Sequence, residues 1–346
     1  MLYGALPHVS AHDAYAVLQR NHMPYVAWPQ LPQRHFFERS IVQASWGLPG
    51  VILDEAQRRV YVMRDVALAA LPAYTIAFLR QTTGLTAEWT RSEAAGLLHL
   101  LDGIADVAGD CGLKGQLLGP ISLAAQLTDE HQQPLVADPV LFEGVVIHCC
   151  LRARLQAEAL MRTNRPALVC IEEPFADVMR SPFMTIDRDE LLVALARVLL
   201  AVPCARGLTI RCGNPLGDFG SLPLDLLMIT HWDNVLMRDS DFAVLVSCIN
   251  NCVDIGLGVV PVSGTTAEDI TSTNLVVYAI IERFLQAGLS PEQLRSHLVL
   301  APAFSLGQSA IAEAEAVVAL TCACAAALDA RLVDLIASTT ISDLKE

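Results

Sequence analysis

The chain has 346 residues, 53% hydrophobic and 17% charged, with a formal net charge of -14; ordinary soluble domains sit at roughly 45 to 50% and about 25%, so extensive burial is implied, including the interface of a homo-oligomer. The acidic balance, without clustered basic residues, excludes a nucleic-acid partner. No uncharged apolar run approaches the ~18 residues of a membrane span and the N-terminus lacks a signal-peptide layout, so the expectation is a soluble, unexported, cytoplasmic protein with no membrane partner.

Short strand-like runs alternate with longer helical patterns, as repeated βα units around a parallel sheet require. The first two runs are Leu2 to Leu6 and Tyr25 to Pro29. About 80 residues then pass before the third, far beyond an ordinary βα loop of roughly 2 to 6 residues. This excursion, about residues 33 to 110, carries a hairpin over Val51 to Val62, turning at Asp54-Glu55-Ala56-Gln57-Arg58, and helices over Val66 to Gln81 and Ser92 to Ala108. It reads as a cover over a barrel mouth or an oligomer contact, not as a separate domain.

The remaining strand runs are Leu113 to Leu118, Ala167 to Glu173, Gly207 to Cys212, Leu224 to Thr230, Ile255 to Val262 and Leu298 to Ala303. Between them, apolar residues recur at helical spacing over Phe142 to Arg162, Asp189 to Ala201, Asp239 to Cys252, Ala267 to Ala287 and Ser309 to Asp329. Eight strands with crossover helices predict a single (β/α)8 TIM barrel over residues 1 to 337, followed by a polar tail from 338 to 346. Ten cysteines at irregular spacings, among them Cys149-Cys150 and Cys322-x-Cys324, do not form a secreted disulfide framework and read as buried thiols of a reducing compartment.

Two features carry charge into apolar sequence. Glu172-Glu173-Pro174 ends an apolar strand, where two carboxylates are costly unless they meet a cation. Lys114, one of only two lysines, lies in a strand between Gly112 and Gly115 and needs an anion if buried. Lys114, Arg34, Arg39 and Arg180 are the candidate partners of the acid pair; a structural ion pair or loop cap is the alternative for the acids, and a tie between two strands the alternative for the lysine.

Several short segments, in order, resemble the catalytic barrel of cobalamin-independent methionine synthase and its single-barrel relatives, within the uroporphyrinogen decarboxylase-like superfamily. They are Tyr3-Gly4-Ala5-Leu6-Pro7-His8, Trp28-Pro29-Gln30-Leu31-Pro32, Lys114-Gly115-Gln116 with Gly119-Pro120, Ile171-Glu172-Glu173-Pro174, Cys212-Gly213-Asn214 and Ala301-Pro302-Ala303-Phe304. All fall at or near strand ends, where barrel enzymes place their sites. The resemblance implies a methyltransferase in which Zn²⁺, held by histidine, two cysteines and often a carboxylate, turns a substrate thiol into the nucleophilic thiolate. It also implies that Tyr3, Gly4 and Ala5 meet the substrate carboxylate, with Gln30 and Lys114 nearby, and that Glu172 and Glu173 hold its amino group.

Mapped onto this chain, the histidine position is Ile210, the first cysteine is Cys212, the carboxylate position is Thr230 and the second cysteine is Phe304. Only Cys212 remains as a donor, so zinc is expected to have been lost unless His231 joins Cys212 in a remade site, which requires the strand to have ended before it. Cys212 reads either as residual ligand or nucleophile, or as a small apolar residue at a strand end.

Two main functions follow. One is a methionine synthase-like methyltransferase acting on a small thiol or related acceptor, with a corrinoid protein as possible donor, in which Cys212 and Glu172 carry the chemistry. The other is a ligand-binding or scaffolding barrel that has lost metal-dependent methyl transfer. A decarboxylase of the porphyrin branch ranks below both, because no aspartate follows the first strand in a suitable setting.

Overall fold

The computed structural model describes residues 1–21, 23–80, 88–103, 111–182, 184–233, 237–262 and 267–343. Its first elements are α1 (Ala11–Arg20), β1 (Tyr25–Ala27), α2 (Ser40–Ser45), β2 (Val51–Asp54), β3 (Arg59–Val62), α3 (Arg64–Leu79) and α4 (Ala95–Asp102). Then follow β4 (Gly112–Leu118), α5 (Pro120–Gln126), β5 (Thr128–Asp129), α6 (Pro139–Met161), β6 (Ala167–Glu173), α7 (Arg188–Leu200), β7 (Ala205–Arg211), β8 (Leu226–Thr230) and α8 (Asp239–Asn250). The chain ends with β9 (Asp254–Val260), α9 (Ala267–Gln286), α10 (Pro291–His297), β10 (Leu298–Pro302) and α11 (Ile311–Asp343).

Seven strands pair in the order β1-β4-β6-β7-β8-β9-β10, every pair parallel, and the sheet curls into a TIM-barrel-like fold with helices outside. Parallel strands covered on both faces read as near-continuous apolar runs, and β4 is buried along its whole length. Alternation along β6 divides the core in two. Leu168 and Cys170 join Tyr3, Leu226, Met228 and Ala301 inside the barrel, while Val169 and Ile171 face the larger core beneath the helices. The longest inter-strand helix, α6, begins at Asp138, whose Oδ1 accepts the amides of Val140 and Leu141 at 2.8 and 3.1 Å.

The eighth expected strand, Leu2 to Leu6, is not one. It makes a single parallel bridge, Ala5 to Gln30, and the N-terminal ammonium donates to the Leu300 carbonyl at 2.7 Å. The segment therefore fills the gap between β1 and β10 without a ladder on either side. The cause is a turn fixed by distant neighbours: Gly4 has φ +120°, and the Tyr3 carbonyl accepts a bond from Lys114 Nζ at 3.1 Å. A side chain at Gly4 would also strike the Gln116 amide at 2.4 Å, so this turn needs glycine.

The excursion forms as the pattern predicts: β2 and β3 make an antiparallel hairpin, which β5 extends to a second, three-stranded sheet. Helices α3 and α4 follow it; the outer ends expected for them, Gln81 and 104 to 108, lie outside the described residues. At the C-terminal end α11 runs on to Asp343, into the stretch read as a tail. By length and composition Ile311–Ser338 could cross a membrane, with mean hydropathy 1.8, but in this fold Ala314, Val317, Val318, Cys324, Leu328 and Leu332 are buried against the barrel.

Candidate functional site

A cavity of about 940 Å³ opens at the carboxyl ends of the barrel strands. Its wall takes Leu118 from β4, Glu172 from β6, Thr209 and Ile210 from β7 and Thr230 from β8; Tyr3, Ala5 and Gln30 close the side where the missing strand would stand. The excursion supplies the rim, through Arg39, Ser40 and Ile41 at the start of α2 and Arg58 from the hairpin turn.

Register explains the floor. Glu172 is aligned with Thr209, and Thr209 with Met228, so alternate residues of three neighbouring strands point inward at successive heights. Three polar atoms there are buried and without hydrogen-bond partners: Tyr3 Oη, Glu172 Oε1 and Thr209 Oγ1. Tyr3 and Thr209 are only 6% and 5% exposed. A buried polar atom left unpaired costs about 1–3 kcal/mol, so three on one cavity floor mark a surface that a polar ligand would satisfy. Burial pushes the Glu172 carboxyl up from its ordinary value, and the Lys114 ammonium pulls against that shift. Lys114 is fully buried below the cavity, bonded to the Tyr3 carbonyl.

The two acids part company, as neighbours on a strand must. Glu173 points outward, where Oε1 and Oε2 accept the Ile121 and Ser122 amides at 3.0 and 2.7 Å at the start of α5. Its burial raises the carboxyl to about 7. Glu173 was expected to bind substrate; it is instead held in the helix layer by backbone donors. Of the arginines considered as partners for the acids, Arg34 pairs with Glu38 at 3.1 Å and Arg180 with Asp218 at 2.7 Å, while Arg39 lines the cavity. Gln30 donates to Gln43 Oε1 at 2.6 Å, which orients its amide on the cavity wall. Gly4 shapes the turn below Tyr3 and offers no side chain.

Zinc does not fit. Such a site needs several converging nitrogen and sulfur donors, and among the described residues no group of three or more His, Cys, Asp or Glu side chains could hold a metal ion. The strand has ended at Thr230, and His231 turns back with φ +55°, so both reach the cavity. The imidazole is nevertheless committed: Nδ1 lies 3.0 Å from Thr230 Oγ1, and the ring meets the edge of Phe304 with centroids 3.7 Å apart. Cys212 is not a wall of the cavity. Its Sγ faces the Asp233 carbonyl at 3.7 Å, and burial raises its thiol further, away from the thiolate that ligand or nucleophile roles require.

Thr209 and Arg58 were not anticipated. Thr209 was legible in principle, because pairing its strand with Glu172's places it on the same inward row; nothing in the sequence brings the hairpin turn of Arg58 over the barrel.

No protein-family model and no curated protein matches the chain. Solved structures do: a methyltransferase from Methanosarcina mazei, at 18% identity over 91% of this chain and 85% of that one, with a TM-score of 0.54. A candidate vitamin-B12-independent methionine synthase from Listeria monocytogenes aligns at 12% identity over 90% and 84% of the two chains, with a TM-score of 0.49. The likeness to the first is one of fold.

Proposed function

We propose that the chain is a methionine synthase-like methyltransferase barrel that binds a small polar acceptor through a donor group, such as an amine, set against Glu172, and that it works without zinc. The observation that carries this reading is the cavity floor with its three unpartnered polar atoms, Tyr3 Oη, Glu172 Oε1 and Thr209 Oγ1. An ammonium there would meet a carboxylate and two hydroxyls that have no competing partner. Its charge would also favour the ionised form of Glu172, so binding should release protons where the empty carboxyl is still protonated.

Methyl transfer to an acceptor X–H forms the X–CH3 bond, breaks the donor–CH3 bond and leaves one proton to be removed. His231 stands on the cavity wall with its basicity lowered by burial and by Arg211, so it is neutral near pH 7 and able to take that proton. The donor enters through the rim, and a corrinoid protein presenting its methyl group at the mouth is the partner we assign to this step.

A second reading, ligand binding without turnover, is favoured by Ile210 and Phe304, which put apolar groups where metal donors would stand. One experiment separates the two. The protein is purified, its zinc measured by elemental analysis, and a panel of amino-bearing thiols and related acceptors is titrated by calorimetry, then incubated with a methyl-corrinoid donor while products are followed by mass spectrometry. Binding lost in Glu172→Gln, with product in the wild type and no stoichiometric zinc, supports the proposal. Binding without product supports the second reading, and affinity unchanged by Glu172→Gln refutes the placement of the ligand.

A further inference from the structure

Arg39 and Arg58 line one rim of the cavity from two separate elements, the start of α2 and the β2–β3 turn. The chain has 37 acidic and 23 basic residues, and Arg34, Arg64, Arg180 and Arg197 each close on a carboxylate. Among the described residues no carboxylate pairs with Arg39 or Arg58. Arg58 moreover occupies a left-handed backbone position, φ +52°, which the turn would concede more readily to glycine or asparagine. Below them the same cavity ends in Tyr3 Oη and Thr209 Oγ1, both more than nine-tenths buried and unpartnered.

We infer that this rim is an oxyanion subsite: the cavity's ligand is bipolar, with its hydrogen-bond-donating end on the Glu172 floor and a carboxylate or phosphate-type group between the guanidiniums of Arg39 and Arg58. Planar guanidinium forks suit such groups because they present paired N–H donors, and two that carry no acid of their own give up no ion pair on binding. The volume, about 940 Å³, lies in the range of roughly 300–1,000 Å³ that holds a small organic ligand. The inference rests on the cavity being the binding site proposed above, and it adds the excursion as the part that selects the ligand's charge.

The test uses the full chain with inorganic phosphate and glutarate as probes, titrated by calorimetry at low salt into wild type, Arg39→Gln, Arg58→Gln, the double variant and Glu172→Gln. Wild type should bind at least one probe at millimolar concentration, with binding weakened about tenfold in each single arginine variant, abolished in the double variant and reduced by added salt. Preference between the probes tells phosphate from carboxylate. Phosphate and glutarate carry no amine for the floor, so probe binding lost with the arginines tests the rim alone, while an amine-bearing ligand whose affinity Glu172→Gln leaves unchanged would refute the floor and not the rim. Because both arginines are exposed and unpaired, melting temperatures should match wild type; Arg39→Lys and Arg58→Lys, which keep the charge but lose the fork, should bind at intermediate strength. Failure of wild type to bind either probe, or equal binding in the double variant, overturns the subsite.

Discussion

Replacing Lys114 by methionine asks what a carboxylate inside the barrel depends on. The ammonium is fully buried, donates to Tyr3 O at 3.1 Å and is the charge that opposes burial at Glu172. Losing a charged hydrogen bond to a buried carbonyl costs about 1.5–3 kcal/mol. The two side chains form no direct hydrogen bond, so their attraction falls below the roughly 4 kcal/mol of a 4 Å pair at an effective dielectric of 20, and about 2 kcal/mol is a fair working value. Lys114→Met should therefore cost about 3–5 kcal/mol near pH 8. Its effect should depend on pH with a definite sign. Without the lysine, the folded-state affinity of Glu172 for its proton rises further above the unfolded value, so stability is retained at acid pH and lost as pH rises. The deficit should thus be smaller at pH 5 than at pH 8, and the double variant Lys114→Met/Glu172→Gln should recover up to about 2 kcal/mol over the sum of the singles. Urea unfolding followed by tryptophan fluorescence at both pH values measures the whole cycle. Additive single effects at both pH values would mean that Lys114 only ties down the Tyr3 carbonyl.

Glu173→Ala strips two amides at the start of α5 of their acceptor and should cost about 2–5 kcal/mol in urea unfolding at neutral pH, without changing ligand affinity per folded molecule. In the wild type the same carboxyl, raised to about 7 in the fold, holds its proton through a window in which the unfolded chain has lost it. It should accordingly contribute about 3 kcal/mol of stability that is present at low pH and lost between roughly pH 4.5 and 7, a slope that Glu173→Ala removes. Gly258→Ala would place a methyl 2.6 Å from Ile229 O and 2.7 Å from Tyr3 Oη; overpacking against backbone should cost about 1–3 kcal/mol, and displacement of the tyrosine should weaken ligand binding measured by calorimetry.

Strand positions were legible because burial on both faces leaves a continuous apolar signature: Ala167 to Glu173 matches β6 end to end, and Leu298 to Ala303 overshoots β10 by one residue. Leu2 to Leu6 carries the same signature, and it fails for a reason that lies outside the segment. Whether Tyr3 O joins a ladder depends on Lys114, more than a hundred residues away, and Gly4 adopts its turn because Gln116 occupies the space a side chain would need. Local propensity has no access to either fact. The hairpin over Val51 to Val62 was readable from its own alternation, but its placement over the barrel mouth comes only with β3 pairing to β5, a strand of two residues.

The site divides along the same line. Glu172 and Lys114 could be named from the sequence as charges embedded in apolar runs, while Tyr3 and Gln30 entered only through the family resemblance. Which way each side chain points could not be read there, and orientation decides function here. Adjacent strand residues face opposite sides, so one member of Glu172-Glu173 must leave the cavity. Glu173 leaves it because the amides of Ile121 and Ser122 meet it on the helix side; Glu172 is left inside with a lysine below and no direct partner. The Phe304 ring packs on His231, and that contact, with the bond to Thr230, holds the imidazole on the cavity wall. The wall around His231 is closed by aromatic packing and a hydroxyl, while the opposite wall and rim keep open polar groups. A barrel under no demand to bind would be expected to cover those groups with apolar side chains, because each unpaired atom costs stability. Their presence on the cavity floor is the physical reason to look for a ligand that Glu172, Tyr3 and Thr209 recognise.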